Sequence, residues 1–174
     1  SNSTEIGQQT VIVEAGNYVI HEEWDNIKII YDIALIKLPK DLEFNQYIQP
    51  AKLPEPYNLY ADKNAVISGW GRANGGFYPS HLQYANVITL SNEECKRKFP
   101  SKIKFFSHWL CTATNNSAAG SRDSGGPLAE RNADGSSTVI GIVSFGSSDY
   151  LSYSPDVFTR VSYFLNWIAQ HINE

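Results

Sequence analysis

The sequence predicts an all-β fold, and three features of its 174 residues support this class. Apolar and polar residues alternate over short segments, which is the period of a half-buried strand. Turn-forming residues separate these segments, and residues 132–135 (Asn-Ala-Asp-Gly) favour a hairpin between two of them. Only two segments have the residue spacing and the capping residues of a helix.

Three patterns describe the first third of the chain. Residues 11–13 and 18–20 alternate around a Gly-Asn pair at residues 16–17, which predicts two strands joined by a hairpin. Residues 32–38 form a further strand that ends at Pro39. Residues 50–62 are rich in Pro, Tyr and Asn and have no period, so we predict a connection there.

The remaining two thirds contain more strands and both helices. Six further strands are predicted at residues 65–68, 82–90, 110–112, 127–130, 138–145 and 156–161. Ser91 and Glu94 have the spacing of a capping box, which predicts that a helix begins there. Residues 162–172 form the last helix. Its expected buried face consists of Val161, Phe164, Leu165, Ile168 and Ile172.

Composition excludes several classes of protein. An apolar fraction of 42% in 174 residues supports one domain or two small ones. The net charge of −4 is unlike the basic surface of a nucleic-acid-binding protein. No apolar run approaches the roughly 20 residues of a membrane span, so no membrane partner is expected. The chain has no Met and opens at Ser1, which we interpret as a processed or incomplete product.

The most informative motif is Asp-Ser-Gly-Gly-Pro-Leu at residues 123–128. Ser124 follows an acid and precedes two glycines, which leave room for a substrate backbone beside the hydroxyl. Asp32 lies upstream at the head of an apolar run, and residues 68–71 read Ser-Gly-Trp-Gly. In their order along the chain (Asp32, residues 68–71, residues 123–128), the three segments resemble the chymotrypsin-like (trypsin-fold) serine endopeptidases, nearest to the brachyurin branch of arthropods.

The resemblance implies a double six-stranded antiparallel β-barrel whose first barrel is incomplete here. Residues 1–54 would be the remainder of that barrel, and residues 55–64 would connect it to the second. The second barrel would cover residues 65–161, followed by a C-terminal α-helix over residues 162–174.

The resemblance also implies that Cys95 and Cys111 form a disulfide, although two free buried thiols are the alternative. A disulfide is typical of a secreted protein. The sequons at Asn2 and Asn115 are compatible with secretion.

The family's motifs assign catalytic roles to four residues. Ser124 would be the nucleophile, and Asp32 would be the buried acid that orients the catalytic histidine. The alternative for Asp32 is a cap at a strand or turn. The backbone amides of Arg122 and Ser124 would form the oxyanion hole. Asp123 would pair with the new amino terminus after activation.

Other motif positions imply a substrate site. Ser144, Phe145 and Gly146 would pair with the substrate as a β-strand and line its first subsites. Ala118 falls where trypsin-like members carry an aspartate at the bottom of the primary pocket. Asp156 would supply an acid from the wall of that pocket instead; its alternative is a surface aspartate before a strand.

The catalytic base is missing from the motifs. The family's Thr-Ala-Ala-His-Cys segment does not occur, and His21 matches a non-catalytic surface histidine of the family. His81, His108 and His171 follow Asp32 outside any matching motif, so we expect them to be ordinary surface histidines. We therefore expect the base to lie in a missing N-terminal segment and this chain to be inactive alone.

The leading interpretation is a secreted serine endopeptidase that acts on proteins or peptides, is open to protein protease inhibitors, and needs no cofactor or metal. The rival is a non-catalytic homologue that binds or regulates, because Arg122 replaces the glycine with which the family's motif begins. An α/β-hydrolase is disfavoured, since its nucleophile elbow would need glycine at Arg122.

Overall fold

The computed structural model describes residues 9–72, 76–99, 104–113, 120–146 and 155–172. These residues form eight strands and two α-helices. The strands are β1 Tyr18–Ile20, β2 Ala34–Ile36, β3 Asn64–Gly69, β4 Gln83–Ile88, β5 Trp109–Thr112, β6 Pro127–Arg131, β7 Ser137–Phe145 and β8 Asp156–Arg160. The helices are α1 Asn92–Lys98 and α2 Leu165–Ile172.

Strands β3 to β8 form one antiparallel sheet in the order β4-β3-β6-β7-β8-β5. Its two edges meet: Thr89 beside β4 bridges to Thr112 on β5, and the Leu90 amide donates to the Cys111 carbonyl at 2.8 Å. The sheet therefore closes into a six-stranded barrel, as predicted for the second barrel. Its interior is filled by fully buried apolar side chains, chiefly Leu110, Leu128, Ile140 and Phe158.

Strands β1 and β2 form a separate two-stranded sheet, called the ribbon below. β1 pairs antiparallel with β2, with Val19 opposite Leu35. The predicted hairpin around residues 16–17 is wrong: residues 11–13 are not a strand, and Ala15–Asn17 is a 3-10 turn. The tight hairpin needs positive φ at its central residues, and neither Gly16 nor Asn17 has one. Tertiary pairing with β2 replaces the local turn.

The C-terminal helix joins the ribbon to the barrel. A 3-10 turn at Val161–Tyr163 precedes α2, and the buried Phe164, Trp167 and Ile168 pack with Ile33. Val19 and Leu35 of the ribbon pack against the same cluster. Ile172 was expected on this face but is 62% exposed, because it is the last residue of the helix and extends past the packed cluster.

Helix α1 begins as the sequence predicts. The Ser91 hydroxyl accepts from the Glu94 amide at 3.2 Å, and the Glu94 carboxylate accepts from the Ser91 amide at 3.1 Å. Cys95 on this helix forms a disulfide with Cys111 on β5, with Cα atoms 5.8 Å apart. The alternative of two free thiols is therefore wrong. Neither helix of the described ranges is long and apolar enough to cross a bilayer.

Candidate active site

Most of the predicted site residues meet at one end of the barrel. Neighbouring strands are antiparallel, so β6 and β8 begin where β3 and β7 end. Ser124 lies in the turn immediately before β6, and its side chain is exposed. The turn is fixed to β7 by two backbone bonds: Gly125 donates to the Val143 carbonyl, and Val143 donates to the Gly126 carbonyl, both at 2.9 Å.

The turn that carries Ser124 depends on both of its glycines. Gly125 has a φ of 81°, in the region that favours glycine. The Gly126 amide donates to the Asp123 carbonyl at 2.8 Å. A Cβ on Gly126 would lie only 2.8 Å from that same oxygen. The sequence therefore produces a tight turn with the hydroxyl at its outer side.

Strand β7 contacts both Asp32 and the turn that carries Ser124, which is called the nucleophile turn below. The Ser144 hydroxyl donates to the Asp32 carboxylate at 2.6 Å, and the Thr159 hydroxyl donates to the Asp32 carbonyl at 2.6 Å. Ser144 follows Val143, which holds the nucleophile turn through its backbone. Consecutive Cα atoms are about 3.8 Å apart, so Asp32 and the turn are anchored to adjacent points of one strand. Asp32 is thus a half-buried acid bound to the second barrel, although it belongs to the ribbon.

Thr159 contributes to the site but was missed by the sequence analysis. Its hydroxyl fixes the backbone of Asp32 from β8. A single hydroxyl inside a strand carries no sequence signal of such a contact.

Asp123 is held by backbone amides. Its carboxylate accepts from Gly71 at 2.7 Å and from Gly120 at 2.8 Å. A Cβ on Gly69 or Gly71 would lie 2.0 Å or 2.4 Å from atoms of this carboxylate, so only glycine fits at either position. The two glycines of the Ser-Gly-Trp-Gly motif were the sequence signal of this close approach.

Arg122, which replaces a glycine of the family's motif, adopts a backbone conformation that favours glycine. Its φ is 78°, where a Cβ is strained. Its side chain is exposed, and the guanidinium carbon lies 4.3 Å from the centroid of the Tyr78 ring. The sequence analysis did not identify Tyr78, since its loop has no pattern that relates it to Arg122.

The described residues of the predicted substrate site lie on the β7–β8 side of the turn, away from the β3–β4 loop that contains Tyr78. Asp156 begins β8 and is only 6% exposed, so the alternative of a surface aspartate is wrong. A Cβ on Gly146 would lie 2.5 Å from the Asp156 carboxylate, which places the acid against that glycine. The Phe145 ring packs edge-on against Trp109, with centroids 5.1 Å apart. Ala118 lies outside the described residues.

Two of the four histidines are buried, contrary to the expectation that all are surface residues. His21 and His108 each stack on the Tyr31 ring, with a centroid distance of 4.9 Å in both cases. Burial, His21 and Arg160 lower the pKa of His108 to about 4. Aromatic residues from α2 and the loop before β5 enclose this cluster, which sequence spacing does not reveal.

The other two histidines bond to residues other than Ser124 and Asp32. His81 is exposed and hydrogen-bonds to the Ser80 hydroxyl, and His171 bonds to the Trp167 carbonyl. Among the described residues, no three His, Cys, Asp or Glu side chains lie together as a metal site requires. The site thus offers a hydroxyl, carboxylates and backbone amides, which are groups for acyl transfer.

The family model described as Trypsin matches residues 1–168 of this chain. The chain belongs to the trypsin family. Curated relatives include a chymotrypsin of Phaedon cochleariae, 38% identical over 92% of this chain, and the serine proteinase stubble of Drosophila melanogaster, 36% identical over 96% of it. The solved structure of HL collagenase is similar with a TM-score of 0.80 and 30% identity over 90% of this chain.

These comparisons confirm the chymotrypsin-like family and the trypsin fold predicted from the motifs. The trypsin-family chain spans only part of its relatives: 57% of the Phaedon chymotrypsin, 22% of the Drosophila proteinase and 67% of the collagenase chain.

Proposed function

We propose that this chain is part of a serine endopeptidase in which Ser124 attacks the peptide carbonyl and Asp32 orients the histidine that takes up its proton. The observation that carries the proposal is the bond from Ser144 to Asp32, one residue along β7 from the backbone contact with the nucleophile turn. A triad needs its acid near its nucleophile with space for an imidazole between them. Anchoring both to one strand supports that arrangement.

The oxyanion that forms during attack would be bound by the backbone amides of Arg122 and Ser124. The acyl part of the substrate would pair with residues 144–146 at the end of β7. Asp156 would receive Arg or Lys in the primary pocket, and the apolar remainder of the pocket would receive aromatic or aliphatic side chains. The buried position of its carboxylate against Gly146 supports this role.

The base, in our proposal, is a histidine upstream of Ser1. All four histidines of the chain lie in the described ranges, and the contacts found for them there are with residues other than Ser124 and Asp32. Losing the base of such a triad lowers turnover by roughly six orders of magnitude, so this chain alone would be inactive. The exposed apolar face of the ribbon, with Tyr18, Ile20 and Ile36, supports further first-barrel strands that cover it.

Activation would add one more contact. We expect the new amino terminus of the processed protein to pair with Asp123, whose half-buried carboxylate already accepts two amide bonds. The protein would act outside the cell, where the Cys95–Cys111 disulfide persists. Its partners would be protein or peptide substrates and protein protease inhibitors.

The decisive experiment uses the full-length activated protein and a fluorophosphonate probe, which reacts with an activated serine. We expect the probe to label Ser124 and the Ser124→Ala variant to stay unlabelled. Reading the transcript upstream of Ser1 should also find Ala-Ala-His-Cys. No labelling, or a different residue in place of the histidine, would refute the enzyme.

The second candidate is a non-catalytic homologue that binds proteins. The observation that favours it is Arg122, which holds a positive φ where the family's motif has glycine. A separate experiment tests the substrate specificity that we propose for the enzyme. In the enzyme, Asp156→Gly should depress cleavage after Arg and Lys selectively, and an unchanged profile would refute the pocket acid.

A further inference from the structure

A second charged group lies beside the nucleophile turn, on the side opposite to Asp156. In the sheet, β7 and β8 follow β6 on one side, whereas β3 and β4 lie on the other. The loop that joins β3 to β4 carries Tyr78, and the Arg122 guanidinium lies 4.3 Å from the centroid of its ring. Arg122 therefore extends from the turn toward the β3–β4 side.

We propose that Arg122, held by Tyr78, binds an acidic side chain within the first two residues after the scissile bond. This inference rests on the proposed function, because it needs the acyl part of a peptide to pair with residues 144–146. Such a peptide passes Ser124 and continues toward β3 and β4. Arg122 is two positions from Ser124, so their Cα atoms are at most about 7 Å apart. An extended peptide covers this distance in about two residues.

The guanidinium is available to a ligand. Stacking on the Tyr78 ring uses its face, and its N–H edge keeps the planar fork that matches a carboxylate. Among the described residues, the ion pairs involve other cations, and none joins Arg122 to an acid. The neighbouring Asp123 directs both carboxylate oxygens toward the amides of Gly71 and Gly120. The charge of Arg122 is therefore not neutralised by the acid next to it.

The two charged groups, Arg122 and Asp156, lie on opposite sides of the turn that carries Ser124. The β3–β4 loop is fixed to this turn near its beginning, where the Arg72 backbone amide donates to the Ser121 carbonyl at 2.9 Å, one residue before Arg122. The Arg122 guanidinium lies on the leaving-group side, although the whole chain carries a net charge of −4. Asp156 lies on the acyl side. The site is polarised, and a peptide with a basic or apolar residue before the bond and an acidic one after it fits this polarity.

Binding to the full-length activated protein with Ser124→Ala tests the proposal without requiring turnover. The probes are fluorescently labelled peptides that are identical except for Glu, Gln or Lys at the second residue after the scissile bond. Their binding is measured by fluorescence anisotropy. We expect the Glu peptide to bind roughly 3- to 10-fold more tightly than the Gln peptide, and the Lys peptide to bind most weakly. The preference should shrink at high salt, because both groups are exposed. Equal affinities would overturn the proposal.

Substitutions at Arg122 and Tyr78 test whether these two residues cause the preference for Glu. Adding Arg122→Gln should abolish the Glu preference, and Arg122→Glu should reverse it in favour of Lys. Tyr78→Phe should keep the preference, whereas Tyr78→Leu should weaken it, because only the former keeps a ring under the guanidinium. Affinity for the Gln peptide reports whether each variant retains a folded site. A Glu preference that survives Arg122→Gln would contradict the assignment.

The outcome is separable from that of the proposed function. Fluorophosphonate labelling without a Glu preference would remove this site and leave the protease. A Glu preference without labelling would mean a non-catalytic peptide-binding homologue that uses this site.

Discussion

Acidification should destabilise this protein through His108. The imidazole is 4% exposed and stacks on Tyr31, and its Nε2 atom has no hydrogen-bond partner among the residues that the structure describes. The ionisable groups that act on it are His21, which also stacks on Tyr31, and Arg160, at the end of β8. A proton on His108 would add a buried charge beside these groups. The perturbation that isolates this effect is His108→Phe, which keeps an aromatic ring and cannot be protonated.

The magnitude follows from the two pKa values. The pKa of His108 is about 4 in the folded state and 6.5 in the unfolded state, so between these values the unfolded state binds one more proton. The contribution of neutral His108 to the free energy of unfolding is therefore complete above pH 6.5. It is lost as the pH is lowered toward 4. A shift of this size corresponds to roughly 3 kcal/mol in total, of which roughly 2 kcal/mol is lost by pH 5.

Urea unfolding followed by tryptophan fluorescence at pH 7.5 and pH 5 measures this loss. We expect the loss between the two pH values to be about 2 kcal/mol smaller in His108→Phe than in the natural sequence. Other groups that titrate cancel in this comparison. The matched control is His81→Phe, which changes an exposed histidine and should leave the pH dependence unchanged. An identical pH dependence in His108→Phe and the natural sequence would refute the reasoning.

Three further predictions concern stability near the site, each measured by urea unfolding. Arg122→Gly should be about 1–2 kcal/mol more stable than Arg122→Ala, because both lose the ring contact and only glycine relieves the positive φ; equal stability would contradict the strain. Asp123→Asn should cost about 2–4 kcal/mol, because its amide nitrogen would face a backbone N–H donor. The control Asp134→Asn, at an exposed ion pair, should cost at most about 1 kcal/mol, and equal losses would show that the two amide bonds contribute little. Replacing Cys95 and Cys111 by Ala should cost about 3 kcal/mol, the loop entropy for their separation of 16 residues, and an unchanged midpoint would contradict it.

Local patterns predicted most of the second barrel. The alternation of residues located the ends of β3 to β8 to within two residues, and the capping box located the start of α1. These signals depend on neighbours in sequence, so they survive without knowledge of the fold. The hairpin at residues 16–17 failed for the opposite reason. Its strand, Tyr18–Ile20, is stabilised by pairing with Ala34–Ile36 and by packing on α2, and neither contact is local.

Some contacts of the candidate site could likewise be predicted from local sequence, and others could not. The motif around Ser124 and the glycines beside Trp70 could be recognised in the sequence, because a tight turn and a close backbone approach each demand a particular residue type. The contacts of Asp32 with Ser144 and Thr159 join residues 112 and 127 positions apart, and the stacking of Arg122 on Tyr78 joins two loops. Their side chains fit many surroundings, so no local pattern marks them.

The sequence by itself determined the fold class, the nucleophile turn and the family. Only the tertiary structure decided that His21 and His108 are buried, that Asp156 is enclosed against Gly146, and that Arg122 stacks on Tyr78. The physical reason is that burial and charge environment depend on which strands and loops the closed sheet brings together, and barrel closure is a property of all six strands at once.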